Sequence, residues 1–489
     1  MNNSKLYVKR FDTGTTVDLN EDFTLPDYQP EMRRVIGVRA TPTVDGKYLS
    51  GEELEADGGV TYTVLYMDGS GKIAQTSQTS TYTGHIPLKS EDDIYGAGDI
   101  VLSSEAENVT CRVTAPRRFT LSSRVRLGIM SQKGADCGLK VSGDAPATVR
   151  RKCENRATAC LAEVRKPCEV SGQIREQAGT KVIMAQGDVA FSDVRINPSN
   201  RNEALIKGDA YMILLIETPE GAYATARGRA PIDETVPLPE CAADAVKPAA
   251  FPSVVMTELE VAENGEIEWH MEYDVDCDLM KCSEAEVTKD AYLTEFEDKL
   301  SVSDFQQYTP GAAVNARLTT SGSVKMRPEM TYLTSWGNSA ADRCEIADGR
   351  LKISGATRVT VITLGGGEAV ADEINIPFRY ECDCGEGTSY DDSSLLGRTL
   401  VTVPEISVRE SGDSLEITAE LAISAILLGT EQVTAATVIT PTAQCAEVEG
   451  AGSGLIRVYV PDADETPWDV EKKFRLSEGV RLDGRLYVI

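Results

Sequence analysis

The sequence predicts a mainly β protein: three tandem antiparallel β domains, each a sandwich or open barrel, followed by a small α+β tail. Three observations lead there: strict period-2 alternation, a strand-and-turn pattern that recurs along the chain, and a scarcity of long amphipathic helical patterns. In Ile267-Glu-Trp269-His-Met271-Glu-Tyr273-Asp-Val275-Asp-Cys277 every odd residue is apolar and every even one is polar. Successive side chains of a strand point to opposite faces, so this run is a strand with one buried face. Residues 415–423, from Leu415 through Ile417 to Ile423, repeat the pattern, and residues 119–129 give a looser version.

The second pattern is a β-branched and aromatic run that stops at a turn. Val60 to Tyr66 runs into Met-Asp-Gly-Ser-Gly71, Tyr211 to Ile216 into Thr-Pro-Glu-Gly221, and Thr357 to Leu364 into Gly365-Gly-Gly367. Each leads to a proline flanked by apolar residues: Ile86-Pro87-Leu88, Val236-Pro237-Leu238 and Ile376-Pro377-Phe378. A proline donates nothing to a ladder, so these positions suit a strand end or a sheet edge. Each third of the chain thus holds a strand–turn–strand unit, an acidic loop and a long alternating strand, an internal repeat of about 150 residues. The expected domains are 1–144, 145–298 and 299–446. A Gly-rich linker, 447–454, and a separate unit, 455–489, follow. The last unit reads as strand, short helix (Trp468 to Phe474) and strand, with Asp462 and Asp464 placed to cap the helix.

Composition narrows the function. Of 489 residues, 41% are hydrophobic and 26% charged, which is ordinary globular usage. Forty-nine Lys and Arg against 77 Asp and Glu leave a formal charge of −28, which repels phosphate backbones and argues against nucleic acid as a partner. No apolar stretch approaches the roughly 20 residues that span a bilayer, and no signal-peptide h-region opens the chain. The expectation is therefore no membrane insertion, a cytoplasmic start, and reduced thiols for the 12 cysteines, with oxidation, should the protein end up in an exposed layer, as the open alternative.

Catalytic options are few. The two histidines, His85 and His270, fall on polar faces. No serine elbow is present, and Gly365-Gly-Gly367 lacks the lysine of a phosphate loop. Cys382 and Cys384 form a close pair without a second pair at zinc spacing, so they read as free thiols, and Cys277 reads as a core residue. Acidic runs such as Glu91-Asp92-Asp93 and Tyr390-Asp391-Asp392 read as solvated turns, with calcium binding as the alternative. No catalytic residue, metal site or cofactor is expected. A hydrolase built on a carboxylate pair is the enzymatic alternative, with nothing singling out one pair.

Against this background Leu25-Pro26-Asp27-Tyr28-Gln29-Pro30-Glu31-Met32-Arg33-Arg34-Val35-Ile36 resembles the opening motif of SPOCS domains, the repeated domains of clostridial spore-coat and spore-envelope proteins. Asp45-Gly46-Lys47, Gly51, Val64-Leu65-Tyr66, Leu205-Ile-Lys-Gly208 and Glu286-Val-Thr-Lys-Asp-Ala-Tyr292 are similar to further parts of that domain. The third repeat resembles it mainly by position and pattern. The tail, Asp464-Glu-Thr-Pro-Trp468-Asp469-Val-Glu-Lys-Lys-Phe474, resembles a degenerate LysM domain, with Asp464 where the family has Gly and Pro467 where it has Leu. The resemblance implies a non-catalytic structural or adaptor protein of the spore envelope, acting in the mother-cell cytoplasm at the forespore surface. Its implied partners are spore-coat morphogenetic proteins, including the coat's basement-layer ATPase. It makes Leu25, Pro26, Asp27, Tyr28 and Pro30 the family-motif residues, and it places partner or glycan contacts on Asp464, Trp468, Asp469 and Phe474 in the tail. The alternative it carries is peptidoglycan or cortex binding through the LysM-like tail. Partner identity and oligomeric state stay open.

Overall fold

The computed structural model describes residues 5–50, 53–88, 100–143, 148–239, 245–384, 389–445, 458–476, 480–482 and 486–488. The first unit consists of β1 (Lys5–Thr24), β2 (Met32–Ser50), β3 (Glu53–Asp68), β4 (Ile73–Pro87), β5 (Ile100–Ala115) and β6 (Arg118–Asp136), trailed by the short β7 (Lys140–Val141). The second holds β8 (Val149–Arg175), β9 (Lys181–Asn197), β10 (Asn200–Glu217), β11 (Tyr223–Pro237), β12 (Ala245–Val261) and β13 (Glu266–Leu293). The third holds β14 (Phe296–Lys325), β15 (Thr331–Ala347), β16 (Arg350–Gly365), β17 (Glu368–Asp383), β18 (Leu395–Ser411) and β19 (Ser414–Gln444). The tail contributes β20 (Val458–Tyr459), α1 (Pro467–Lys473), β21 (Val480–Leu482) and β22 (Leu486–Val488). β14 begins at Phe296, so it already runs across the expected domain boundary at 298.

Each unit is the same antiparallel sandwich. Its middle three strands form one meander, β2-β3-β4, β11-β10-β9 or β15-β16-β17. Its last strand is the centre of a second sheet, flanked by the first and the fifth: β1-β6-β5, β12-β13-β8 and β18-β19-β14. The three alternating runs seen in sequence occupy these central strands, β6, β13 and β19, where one face meets the opposite sheet. Ile267, Trp269, Met271 and Tyr273 are all at most 2% exposed. The signature prolines lie in β4, β11 and β17, each the edge of its meander, where a missing N–H breaks no ladder. Between the sheets lie three separate cores, with Tyr62, Tyr66 and Phe119 in the first, Phe191 and Trp269 in the second, and Leu351, Ile353 and Phe378 in the third.

The units are fused along a shared seam. Aligning the antiparallel ladders that pair each unit's first strand with its last makes Tyr7, Thr158 and Tyr308 equivalent. These equivalents touch in turn: the Tyr7 N–H donates to Thr158 Oγ1 at 3.0 Å, and that hydroxyl donates to the Tyr308 carbonyl at 3.2 Å. The β1–β14 pairing at Val8 and Gln307 closes the circuit, giving an approximate threefold arrangement. Apolar clusters drawn from all three units line this seam. One contains Leu65, Leu215 and Ile362, another Met130, Phe251 and Ile426, and a third Leu6, Val287 and Val433. The parallel pairing of β7 with β19 adds a second strand-level join between the first and third units.

Candidate functional site

The opening motif forms the connection between β1 and β2. Leu25, 2% exposed, turns inward into the first unit's core. The rest is held from outside by Arg117, in the tight turn between β5 and β6. Its guanidinium donates to the carbonyls of Pro26 (2.6 Å), Gln29 (3.1 Å) and Leu25 (3.4 Å). A planar fork of N–H groups suits several acceptors at once. Backbone bonds from Leu25 N–H to the Arg117 carbonyl and from Met32 N–H to the Pro116 carbonyl tie the loop at both ends. The Tyr66 hydroxyl donates to the Pro30 carbonyl at 3.0 Å, and Gln29 N–H closes a turn on Pro26. What projects from this clamped backbone is Asp27 and Tyr28. Tyr28 is 85% exposed, the most exposed large apolar side chain among the described residues. The equivalent connections of the other two units, residues 176–180 and 326–330, are shorter and carry no aromatic. Arg117 lies some 90 positions from the motif, and no local spacing announces its role.

The tail residues have a different fate. In α1 the N-cap is Thr466, whose side chain accepts from the Asp469 N–H while the Asp469 carboxylate accepts from Thr466, a reciprocal capping box. Neither Asp462 nor Asp464 takes the cap: Asp464 stands exposed in the preceding turn, and Asp462 donates its N–H to Glu465. Thr466 wins because the box needs an acidic residue three positions on, and Asp469 is there. Pro467 occupies the first helical turn. Phe474 packs edge-on against Tyr459 at 4.8 Å, and Lys473 bridges Tyr459 and Glu465. A strand missing from the sequence reading, β21, completes the small sheet β20-β22-β21.

Trp468 faces the body of the protein. Its indole N–H donates to Asp290 Oδ2 at 2.8 Å, and its ring lies 5.2 Å from that of Tyr292. Around this anchor Lys472 Nζ donates to Asp290 Oδ1 at 2.6 Å, the Tyr292 hydroxyl to the Leu476 carbonyl at 2.5 Å, and Arg150 to Glu471 at 3.2 Å. Arg475 reaches the Leu293 carbonyl and Asp298. Burial alone raises the Asp290 carboxyl, but the bonds from Lys472 and Trp468 overrule it and hold it below the usual carboxylate range. The tail is thus docked on the end of the β8–β13 ribbon. Asp290 falls within the Glu286–Tyr292 run that resembles the family domain, but its role is not legible there, because its partners lie some 180 residues away.

The other residues singled out from sequence are quickly placed. His270 Nδ1 shares a 3.0 Å hydrogen bond with Ser171, and His85 lies 3.6 Å from Glu53 with both side chains exposed. The described cysteines are free thiols, and Cys241 lies outside the described residues. Burial pushes Cys277 up to about 12 and Cys111 to about 11, so both stay protonated and unreactive near neutrality. Cys384 donates to the Gly349 carbonyl, and burial also raises Cys382. Asp391 accepts from Ser393 and Ser394 within its own turn, whereas Asp392 accepts from the Cys344 N–H of β15 and ties the turn to that strand. Glu91 to Asp93 and the Gly-rich linker lie outside the described residues. Among the described residues no three His, Cys, Asp or Glu come together as metal ligands, and no helix is long and apolar enough to cross a membrane. No protein-family model matches the chain, and no curated protein or solved structure matches it.

Proposed function

We propose that the protein is a non-catalytic adaptor of spore-envelope or coat assembly, acting through protein–protein contacts at the forespore surface. The observation that carries this reading is the β1–β2 loop. A loop that only joins two strands has no need of three carbonyl bonds from a distant arginine, and a 85% exposed tyrosine contributes nothing to the core. A rigid backbone presenting an aromatic side chain is the arrangement that lowers the entropic cost of docking, and tyrosine is enriched among residues that dominate interfaces. The motif that resembles the spore-coat family and the most prominent exposed aromatic are the same residues. Edge strands flank every sheet and offer further main-chain contacts of the strand-addition kind. The alternative, glycan binding through the tail, draws less support, because the Trp468 indole N–H is already given to Asp290.

The test follows a fluorescent fusion in sporulating clostridial cells, comparing the full chain with Tyr28→Ala. The expected result is a shell of signal around the forespore that weakens severalfold in the variant, with no change in thermal stability of the purified protein. Diffuse signal from the unmutated chain would overturn the spore-envelope reading. A shell indifferent to Tyr28→Ala would overturn the assignment of docking to this loop.

A further inference from the structure

The fifth strand of each unit, β5, β12 or β18, carries a bulge opposite the same stretch of its central strand. The three bulges have different fates. In the first unit the bulge holds Asn108 and Val109, and the valine packs against the core. In the third it holds Val403 and Pro404, both buried, with Val403 lying against Gly337. In the second it is Val255, which is 59% exposed. Beside it Met256 is 41% exposed, and Val261 at the end of β12 is 43% exposed. Among the described residues nine large hydrophobic side chains are exposed, and three of them stand on this one strand. Apolar side chains grouped in the open mark a contact surface.

The solvent face of the same sheet also departs from its counterparts. Met256 stands opposite Glu272 of β13, and Glu272 stands opposite Glu169 of β8. Glu260 faces Glu268, and Glu258 faces His270. Among the described residues Glu258, Glu260, Glu268 and Glu272 have no ion-pair partner, and Glu169 reaches only His270, at 3.8 Å. The sister faces are neutralised. In the first unit Arg124 binds Asp18 at 2.6 Å and Arg126 binds Glu107 at 2.8 Å. In the third Arg317 binds Glu420 at 2.9 Å and Arg227 reaches Glu405 at 3.8 Å. Like charges directly opposite each other weaken a ladder, so the second unit carries this face at a cost to its own folding. A rule that two copies obey and the third breaks is the usual sign of a functional surface.

We propose that the outer face of the β12–β13–β8 sheet docks a cationic protein segment in which lysines or arginines are interspersed with apolar residues. Its cations pair with Glu258, Glu260, Glu268 and Glu272 and relieve their mutual repulsion, while its apolar side chains cover Val255, Met256 and Val261. Charge selects the occupant: a second copy of a chain of formal charge −28 is repelled, and a basic partner is drawn in from a distance. This surface belongs to a different unit from the Tyr28 loop, so the chain carries two docking faces of different chemistry, and either can fail without the other.

Fluorescence anisotropy of two labelled peptides with the full chain, at pH 7 and low salt, tests this. One peptide is Lys-Lys-Leu repeated four times, the other Lys-Lys-Ser repeated four times. The leucine peptide is expected to bind one to one and at least fivefold tighter than the serine peptide. Glu258→Gln, Glu260→Gln, Glu268→Gln and Glu272→Gln together should fold, melt at higher temperature and lose at least tenfold in affinity for both. The same charge change on the third unit, Glu368→Gln, Glu373→Gln, Glu410→Gln and Glu416→Gln, should cost less than threefold. Val255→Ser with Met256→Ser should bring the leucine peptide down to the level of the serine peptide. Equal losses in the two quadruple variants would mean attraction by overall charge alone and overturn the proposal. Failure of the leucine peptide to bind, or its indifference to the change at Val255 and Met256, would overturn it as well.

Discussion

The seam between the three units and the docking of the tail are both internal interfaces, and they are built from opposite materials. The seam is largely apolar: Tyr308, Phe251, Ile426 and Leu428 are fully buried there, and Thr158 and Tyr308 make hydrogen bonds across unit boundaries. The tail buries one apolar side chain of α1, Val470, and otherwise holds on by charge-assisted bonds to Asp290, Asp298 and Arg150, together with a neutral hydrogen bond and a ring contact from Tyr292. Hydrophobic burial is indifferent to pH and strengthened by salt, whereas partly exposed ion pairs weaken with both acid and salt. The contrast teaches which parts can move independently. The three sandwiches share a seam, and the expectation is that the tail, held mainly by polar bonds, releases before they do when conditions change.

The sharpest way to break that contrast is at the seam. Tyr308 is 0% exposed and its hydroxyl donates to the Ser131 carbonyl at 3.0 Å. Tyr308→Ala leaves a cavity at the meeting point of the first and third units and should lower stability by about 3–5 kcal/mol, read from the denaturant midpoint. If the units were independent beads, the change would leave unfolding almost untouched. A smaller effect with a definite sign comes from Asp278, which is 2% exposed in β13 and has no hydrogen-bond partner for either carboxylate oxygen. Its folded-state carboxyl lies near 7, above the ordinary value of about 3.9, so its stabilising contribution is greatest in acid and is lost as pH rises through 7. Asp278→Met removes that loss, so the variant's advantage over the unmutated chain should grow by on the order of 2 kcal/mol between pH 5 and pH 8. An advantage independent of pH would mean that the acid is not buried as described.

Much of the architecture could be read from the chain because strand alternation and turn chemistry are local. The runs at Ile267, Leu415 and Phe119 gave the central strands, and Pro87, Pro237 and Pro377 gave the edges. What could not be read was partnership between distant segments. Nothing near Leu25 shows that its strand, β1, pairs with β6 across the intervening meander, or that Arg117 clamps its loop. The helix of the tail was legible to within a residue, yet the direction in which Trp468 points was not, since that depends on Asp290 and Tyr292. The same holds for Asp278. In sequence it is one more polar residue after an alternating strand, and only superposing the three units shows that its counterparts are Met130 and Ile426.

The tail interface gives the last and smallest break, and the one that bears on partners. Asp290 receives both the Trp468 indole N–H and Lys472, and it must be ionised to hold the lysine. Its folded-state carboxyl is held below the ordinary range, so the docking contribution is present above about pH 4 and is lost as pH falls through the lowered value. Asp290→Asn keeps the shape and removes the charge, and should weaken docking by about 1–2 kcal/mol at neutral pH. The body's own midpoint should stay fixed, because the seam shares none of these groups. Trp269 and Trp336 are buried and Trp468 is only half-buried, so a change in its emission reports the release. A red shift in acid for the unmutated chain, reproduced at pH 7 and high salt in Asp290→Asn, would establish a detachable tail. Emission unchanged in both would mean that the Tyr292 and Val470 contacts suffice, and that the tail belongs energetically to the body it rests on.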